Sequence, residues 1–348
     1  MVILYIMFFV NFIIKKKQLI LMKKEFLKKI LGSGLLTLRD ETNYITIDLG
    51  GTNCRASLRD ESGNTFQENI VTPIYTSKTK GKSRKDVLKT IYETMQPYLE
   101  LAHKKLAILI AVPGIVKNNK VKQLPNLNIK EWDLKSDLKE YLKDKITGEI
   151  QIKILNDLEA AWHCEAKDKK DLVVYAGTGI GGAINGKNIE LGRNIVLTKE
   201  NGEITSAKYK DNTNKLEKNE YLLEELASGM SLKKHAEEQG IKLKAKTNEY
   251  GEKLAEEARK GDLKAKATIA KTGINLGIGL ASYNTYNEIT NAVIGGSLGL
   301  NEDYFQGIIT GLKKAEELNL KQLAEEKVRK SHYNSSEAIF RGLIKKFK

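Results

Sequence analysis

Apolar and polar residues alternate with a period of two in several short stretches, separated by longer stretches of helical period. Ile45, Ile47 and Leu49 alternate with Thr46 and Asp48. Cys54, Ala56 and Leu58 do the same after Gly50-Gly51-Thr52-Asn53, so 45–58 reads as two strands joined by a tight turn. Arg84 to Leu101 is helical in pattern, and Leu106 to Val112 is an apolar run of strand length closed by Pro113-Gly114. Gln151 to Leu155 is a strand that delivers Asn156-Asp157 to a helix over 157–165. Leu172 to Ala176 is a strand running into a second glycine turn, Gly177-Thr178-Gly179-Ile180-Gly181-Gly182. Downstream, 196–220 is polar and reads as a long mobile loop. Glu220 to Leu226 reads as helical, 232–272 as two helices, Asn291 to Ile294 as a strand, and Ser336 to Lys348 as a basic amphipathic helix.

Strands alternating with helices make this an α/β chain. The strand, glycine turn and returning strand occur once in each half, at 45–58 and 172–190. No solenoid-type repeat is present. Before the first strand, Met1 to Ile14 is nearly all apolar and is followed by Lys15-Lys16-Lys17. That run falls short of the ~20 residues a spanning helix needs. A secretory signal carries its positive charges before the apolar run, not after it. The run is therefore read as a dispensable leader or a misassigned start, with Met22 as the true first residue. A membrane anchor is the lesser alternative, and stable membrane insertion is not expected. Residues 22–43 read as an amphipathic helix and linker.

Composition narrows the functional classes. The chain has 348 residues, enough for two domains, and its 41% hydrophobic content allows a large core. A net charge of +14 raises the question of nucleic acid. The cations are mostly lysines spread along the whole chain without aromatic clustering, so a solvated surface is the reading and no nucleic-acid partner is expected. The two cysteines, Cys54 and Cys164, form no disulfide framework, and His163-Cys164 lacks metal-ligand spacing. Free thiols in a reducing cytoplasm are expected.

The glycine turns bring backbone N–H groups close to an anion without a side chain in the way. Asp48, at a strand end, suits a magnesium ion held through water. A plain hairpin turn accounts for the first motif equally well. Gly177, Gly179 and Gly182 formally satisfy GxGxxG, but a dinucleotide fold needs a helix directly afterwards. Ala183-Ile184-Asn185-Gly186 is instead a hairpin signal, so the second motif is read as another phosphate-binding hairpin. Asp157 is either a general base or a helix N-cap. Its carboxyl is expected to have an ordinary pKa near ~4. The polar loop Leu124 to Asn128 beside Trp132 suits a sugar, with its hydroxyl edges and apolar face; a surface loop with an anchoring Trp is the alternative.

Taken together and in this order, the motifs resemble the ROK family of sugar kinases, within the actin-like ATPase/hexokinase superfamily, over roughly 43–345. The resemblance implies two ribonuclease H-like α/β domains with a cleft between them. The implied boundaries are a leader and linker at 1–42, an N-terminal domain at 43–156, a C-terminal domain at 157–335 and a terminal helix at 336–348. It implies ATP-dependent phosphorylation of a hexose hydroxyl, most readily glucose, with an N-acetylhexosamine or fructose as alternatives. Asp157 would be the general base. Asn126, Asn156, Asp157, Glu190, Arg193 and Glu224 would meet the sugar. Asp48, Gly50, Gly51, Thr52, Asn53, Gly177, Thr178, Gly179, Gly181, Gly182, Gly295 and Gly296 would meet ATP and Mg2+. Leu276 to Ala281 and Val293 to Ser297 resemble the adenosine region.

The chain departs from the family at Glu190-Leu191-Gly192-Arg193, where Arg193 replaces a histidine that contacts sugar and a structural zinc. Residues 196–223 contain no cysteine, so no zinc site is expected. Arg193 offers only donors, which suits an acidic or differently shaped sugar, or else it turns outwards. Glu288 and its neighbours stand where the family has a proline. The family implies a homodimer. It also contains sugar-sensing transcriptional regulators, which carry an N-terminal helix-turn-helix; 21–43 is too short for one.

Overall fold

The computed structural model describes residues 43–50, 53–65, 75–78, 83–99, 105–146, 149–210, 215–245 and 247–348. The expected leader and linker, Gly51 and Thr52 lie outside the described residues, as does the side chain of Asn126.

The first half is built on β1 (Asn43–Leu49), β2 (Asn53–Arg59) and β3 (Tyr75–Lys78), followed by α1 (Arg84–Leu99) and β4 (Lys105–Val112). A small sheet of β5 (Ile115–Lys117), β6 (Lys120–Leu124) and β7 (Ile129–Trp132) comes next, then α2 (Leu134–Leu142) and β8 (Glu149–Asn156). The main sheet has the order β3-β2-β1-β4-β8. β2 is antiparallel to β1 and β3, whereas β4 and β8 run parallel to β1.

The second half starts with α3 (Asp157–Glu165), β9 (Leu172–Ala176), β10 (Ile180–Ile184), β11 (Lys187–Ile189) and a one-turn helix α4 (Leu191–Asn194). β12 (Ile195–Glu200), β13 (Glu203–Tyr209) and β14 (Glu220–Leu222) form a small sheet, followed by α5 (Leu223–Ala227) and α6 (Ser231–Glu238). The rest is α7 (Thr247–Arg259), α8 (Leu263–Asn287), β15 (Ala292–Gly295), α9 (Gly296–Gly299), α10 (Glu302–Lys314), β16 (Val328–Lys330) and α11 (Ser335–Phe347). Its main sheet, β11-β10-β9-β15-β16, repeats the first sheet's sequence of antiparallel and parallel pairings. The duplication hinted at by the two glycine hairpins therefore extends to both main sheets.

Alternation along the parallel strands buries both faces. Ile45, Ile47, Leu49, Ile108 and Ile110 pack towards α1 and α2. The opposite face contributes Tyr44, Leu109 and Ala111 to a middle core. Ala160, Val173, Val293, Ile339 and Leu343 complete that core, so α3 and α11 are shared by both sheets. The C-terminal helix is thus part of the interior. Glycine lets α11 and α3 touch backbone to backbone: a Cβ on Gly342 would stand 1.7 Å from the Ala160 carbonyl oxygen.

Three expectations need correcting. Residues 196–220 are largely a hairpin, with Asn201 and Gly202 in the left-handed region at its turn. A sheet with one face against a helix needs an apolar residue only at alternate positions, so its polar composition resembled a loop. Glu220 to Leu226 begins as β14, which pairs with β12, and becomes helical only at Leu223. Residues 232–272 contain α6, α7 and the first turns of α8, not two helices.

An ion cluster around the buried Glu220 stabilises the small sheet. Glu220, with a side chain 3% exposed, accepts from Lys208, from Lys210 Nζ at 3.1 Å and from the Glu217 backbone N–H at 2.9 Å. The Glu217 N–H and the two ammonium groups hold its pKa down at about 2. A carboxyl with a lowered folded-state pKa adds stability above its unfolded value, and that stability is lost as pH falls through the folded value. Glu220→Gln is therefore expected to lower the melting temperature at neutral pH. The difference from the unaltered chain should close between pH ~4.5 and ~2, as measured by calorimetric scans across that range.

Candidate active site

Chain direction places chemistry at the carboxyl ends of the parallel strands, where open α/β sheets bind ligands. β1 ends at Asp48-Leu49, β4 at Val112 before Pro113-Gly114, and β8 at Asn156 before Asp157. In the second sheet, β9 ends at Ala176 before Gly177, and β15 at Gly295 before Gly296. The ends of β4, β8, β9 and β15 open on one cavity of about 720 Å³. Its walls include Asn156, Asp157, Gly177, Gly179, Gly181, Glu190, Glu224 and Gly296, all singled out in the sequence.

Asn156 and Asp157 divide the work at the β8–α3 junction. Asn156 is the N-cap: its Oδ1 accepts from the N–H groups of Leu158 at 2.9 Å and Glu159 at 3.1 Å. Its Nδ2 donates to the Gly114 carbonyl at 2.8 Å, a contact made possible because Asn156 pairs with Val112 across the sheet. This amide thus ties the helix start to the neighbouring loop and leaves the Asp157 carboxylate for the cavity. Asp157 Oδ1 also accepts from the Leu158 N–H at 2.9 Å.

The carboxyl of Asp157 is not ordinary. Burial, and then the negative charge of Asp48, raise its pKa to about 7. Asp48 is itself raised by burial, partly offset by Ser336 and Arg55. Ser336 Oγ donates to Asp48 Oδ2 at 2.8 Å, and Arg55 Nη1 lies 3.4 Å from the same oxygen. Two buried carboxyls, one raised by the charge of the other, suit a site that later receives positive charge.

The glycine turn after β9 is held from behind. Gly177 N–H donates to the Gly179 carbonyl at 3.0 Å, and Gly229 N–H donates to the Gly177 carbonyl at 2.7 Å. A Cβ on Gly229 would meet that carbonyl oxygen at 2.8 Å, so Ala227-Ser228-Gly229 serves as the backing of the turn. The chain then returns as β10 and turns again at Asn185 and Gly186, both at positive φ, into β11. No helix follows the glycines, in line with rejection of the dinucleotide reading. In the first hairpin, Gly50 N–H donates to the Asn53 carbonyl at 2.8 Å, with Leu49 paired to Cys54.

Several singled-out residues lie elsewhere. Trp132 is buried in the first core, its indole N–H donating to Asp137 at 2.8 Å, so it anchors the loop and offers no face to a sugar. Arg193 is absent from the cavity wall; its side chain is 61% exposed and its Nε lies 3.2 Å from Glu224 Oε1. The acid it holds, Glu224, is on the wall. Leu276 to Ala281 lies within α8, where Gly277 faces the backbone of α10, so its small residues serve helix packing. Thr178, Gly182 and Gly295 are also off the wall, whereas Gly296, at φ +85°, packs on the Ala176 backbone and reaches it.

The sequence reading missed Arg55 and the start of α11, Asn334 to Ser336, which also line the cavity. Arg55 was legible in principle: pairing Leu49 with Cys54 sets Asp48 opposite Arg55. Ser336 carried no such signal, being 288 residues from its partner Asp48. Among the described residues, no group of three or more His, Cys, Asp or Glu is arranged to hold a metal, and no helix is long and apolar enough to cross a membrane.

Comparison with known proteins decides the family, for the ROK family model matches residues 44–340. The chain belongs to the ROK family. Its fold, two actin-like α/β domains, is that of ROK proteins of known structure. A ROK glucokinase from Streptomyces griseus, solved with glucose and AMPPNP, is 17% identical with a TM-score of 0.62, covering 86% of this chain and 97% of that one. A ROK hexokinase from Thermus thermophilus is 20% identical with a TM-score of 0.59, covering 87% and 97%. A ROK transcriptional regulator, a homologue of the Escherichia coli MLC protein, is 17% identical with a TM-score of 0.61, covering 88% and 78%. No match was found among curated proteins. The ROK fold is therefore shared by kinases and regulators, and the side chains of the site must distinguish them.

Proposed function

We propose that this ROK protein is a cytoplasmic, ATP-dependent hexose kinase that uses Asp157 as general base. The observation carrying this reading is the position of Asp157: a carboxylate freed from capping by Asn156, on the wall of a cavity bounded by the second glycine turn and Gly296. A sensor needs a sugar pocket but no base. Phosphoryl transfer asks for positioning, charge stabilisation and a group that takes the hydroxyl proton.

Glu190 and Glu224, on the wall with Asp157, would accept hydrogen bonds from sugar hydroxyls, and Asn126 would join them. The backbone N–H groups of both glycine turns, apart from those of Gly50 and Gly177 that donate within the turns, would face the phosphates, with Gly296 beside the nucleotide. Asp157 then takes the proton as the sugar oxygen attacks the terminal phosphorus. The negative charge of Asp48 acting on Asp157 fits a divalent cation, and Asp48 would hold Mg2+ through water. Bound magnesium supplies charge neutralisation to the phosphates. Glucose is the first substrate to test; N-acetylhexosamines and fructose are the alternatives. A homodimer is the assembly expected.

Incubation with MgATP and glucose, mannose, fructose, N-acetylglucosamine or N-acetylmannosamine should give sugar-dependent ADP release with one of them. Sugar binding by calorimetry without ADP release on any would favour the sensor reading. Because the base must be ionised, kcat/KM should rise with pH and level off above a midpoint of about 7, reporting the carboxyl of the free enzyme. A profile flat from about pH 5 to 8 would contradict that assignment.

A further inference from the structure

The cavity wall is acidic where it must receive a polyanion. Asp157, Glu190 and Glu224 line it, and Asp48 lies buried just behind. Among the described residues of the wall, Arg55 is the single cationic side chain. It projects from β2 on the same face as Asp48, directly across the hairpin. Its side chain is 37% exposed, and the contact with Asp48 is long, at 3.4 Å, for a charge-assisted hydrogen bond. The same Asp48 oxygen already accepts from Ser336 at 2.8 Å, so Asp48 keeps a partner if the guanidinium moves.

We propose that Arg55 is a catalytic residue that leaves Asp48 and donates to the non-bridging oxygens of the phosphoryl group in flight. The proposal rests on the kinase reading. In the step, the sugar oxygen forms a bond to the γ-phosphorus and its proton passes to the Asp157 carboxylate. The bond from that phosphorus to the β–γ bridging oxygen breaks, and ADP leaves with the electron pair. Negative charge is spread over the equatorial oxygens throughout, where a planar fork of N–H donors is most effective. A purely structural Arg55 would only hold Asp48 in place.

Arg55→Met and Arg55→Lys separate the two roles, with ATP and its γ-thio analogue as donors. If Arg55 grips the non-bridging oxygens, kcat for Arg55→Met falls about 10³–10⁵-fold with ATP. It falls much less with the thio analogue, because sulfur is a poor acceptor and has already weakened that contact in the unaltered enzyme. Arg55→Lys, which keeps the charge opposite Asp48, should fold like the unaltered chain and show an intermediate ratio. Equal losses with both donors, or a kcat within about threefold of the unaltered chain, would overturn the role while leaving the kinase reading intact. Absence of sugar-dependent ADP release from the unaltered chain would overturn both.

Discussion

Replacing Asp157 with Asn is expected to lower kcat by about 10²–10⁴-fold, the range for loss of a positioned general base, while sugar affinity changes less than about tenfold. The substitution keeps size and shape, and Asn156 still caps α3 through the N–H groups of Leu158 and Glu159. A second consequence follows from burial. A carboxyl raised to about 7 in the folded protein is stabilising, relative to the unfolded chain, only while it remains protonated. That contribution is complete below the unfolded pKa near ~4 and is lost as pH rises through about 7. Asp157→Asn should therefore raise the melting temperature at about pH 8 and change it little at about pH 4. Parallel kinetics, sugar calorimetry and melting scans on the variant and the unaltered chain check both parts. Unchanged turnover would remove Asp157 from the mechanism.

Gly342→Ala should have the largest effect on stability. Its Cβ would stand 1.7 Å from the Ala160 oxygen, 2.5 Å from the carbonyl carbon and 3.2 Å from the Cys164 nitrogen, all backbone atoms that cannot turn aside. α11 must move off α3. Overpacking of this kind costs up to about 3 kcal/mol, or roughly 5 °C of melting temperature in a domain this large. The displaced helices carry Ser336, which holds Asp48, and Asp157 itself, so turnover should fall with stability. Lys345→Ala, on the exposed side of the same helix, should stay within about 0.5 kcal/mol of the unaltered chain. Melting scans and kinetics on the pair decide whether α11 acts as a structural part of the site.

Much of this architecture was legible because local pattern and global fold agree. Two glycine hairpins announced two related halves, and each proved to head a sheet of the same order. The junction at Asn156-Asp157 was found from a short strand meeting a helix. Which of the two residues caps and which faces the cavity was not legible, since either can accept from N–H groups of the first turn. Trp132 misled because an aromatic residue beside a polar loop looks the same whether it points outwards or into a core. The strands at 195–209 were hidden by their polar outer face. The Asp48–Ser336 hydrogen bond and the Gly342 contact depend on α11 returning to the first sheet, which no local pattern encodes.

If this cavity transfers a phosphoryl group to a sugar, the γ-phosphate of ATP must end on that sugar. The decisive measurement follows the label from γ-phosphate-labelled ATP, with each sugar of the panel and with none. Label is expected in a sugar phosphate with at least one sugar, dependent on that sugar and lost with Asp157→Asn. Label that remains in ATP, or is released as inorganic phosphate, while calorimetry shows the sugar bound would contradict that transfer.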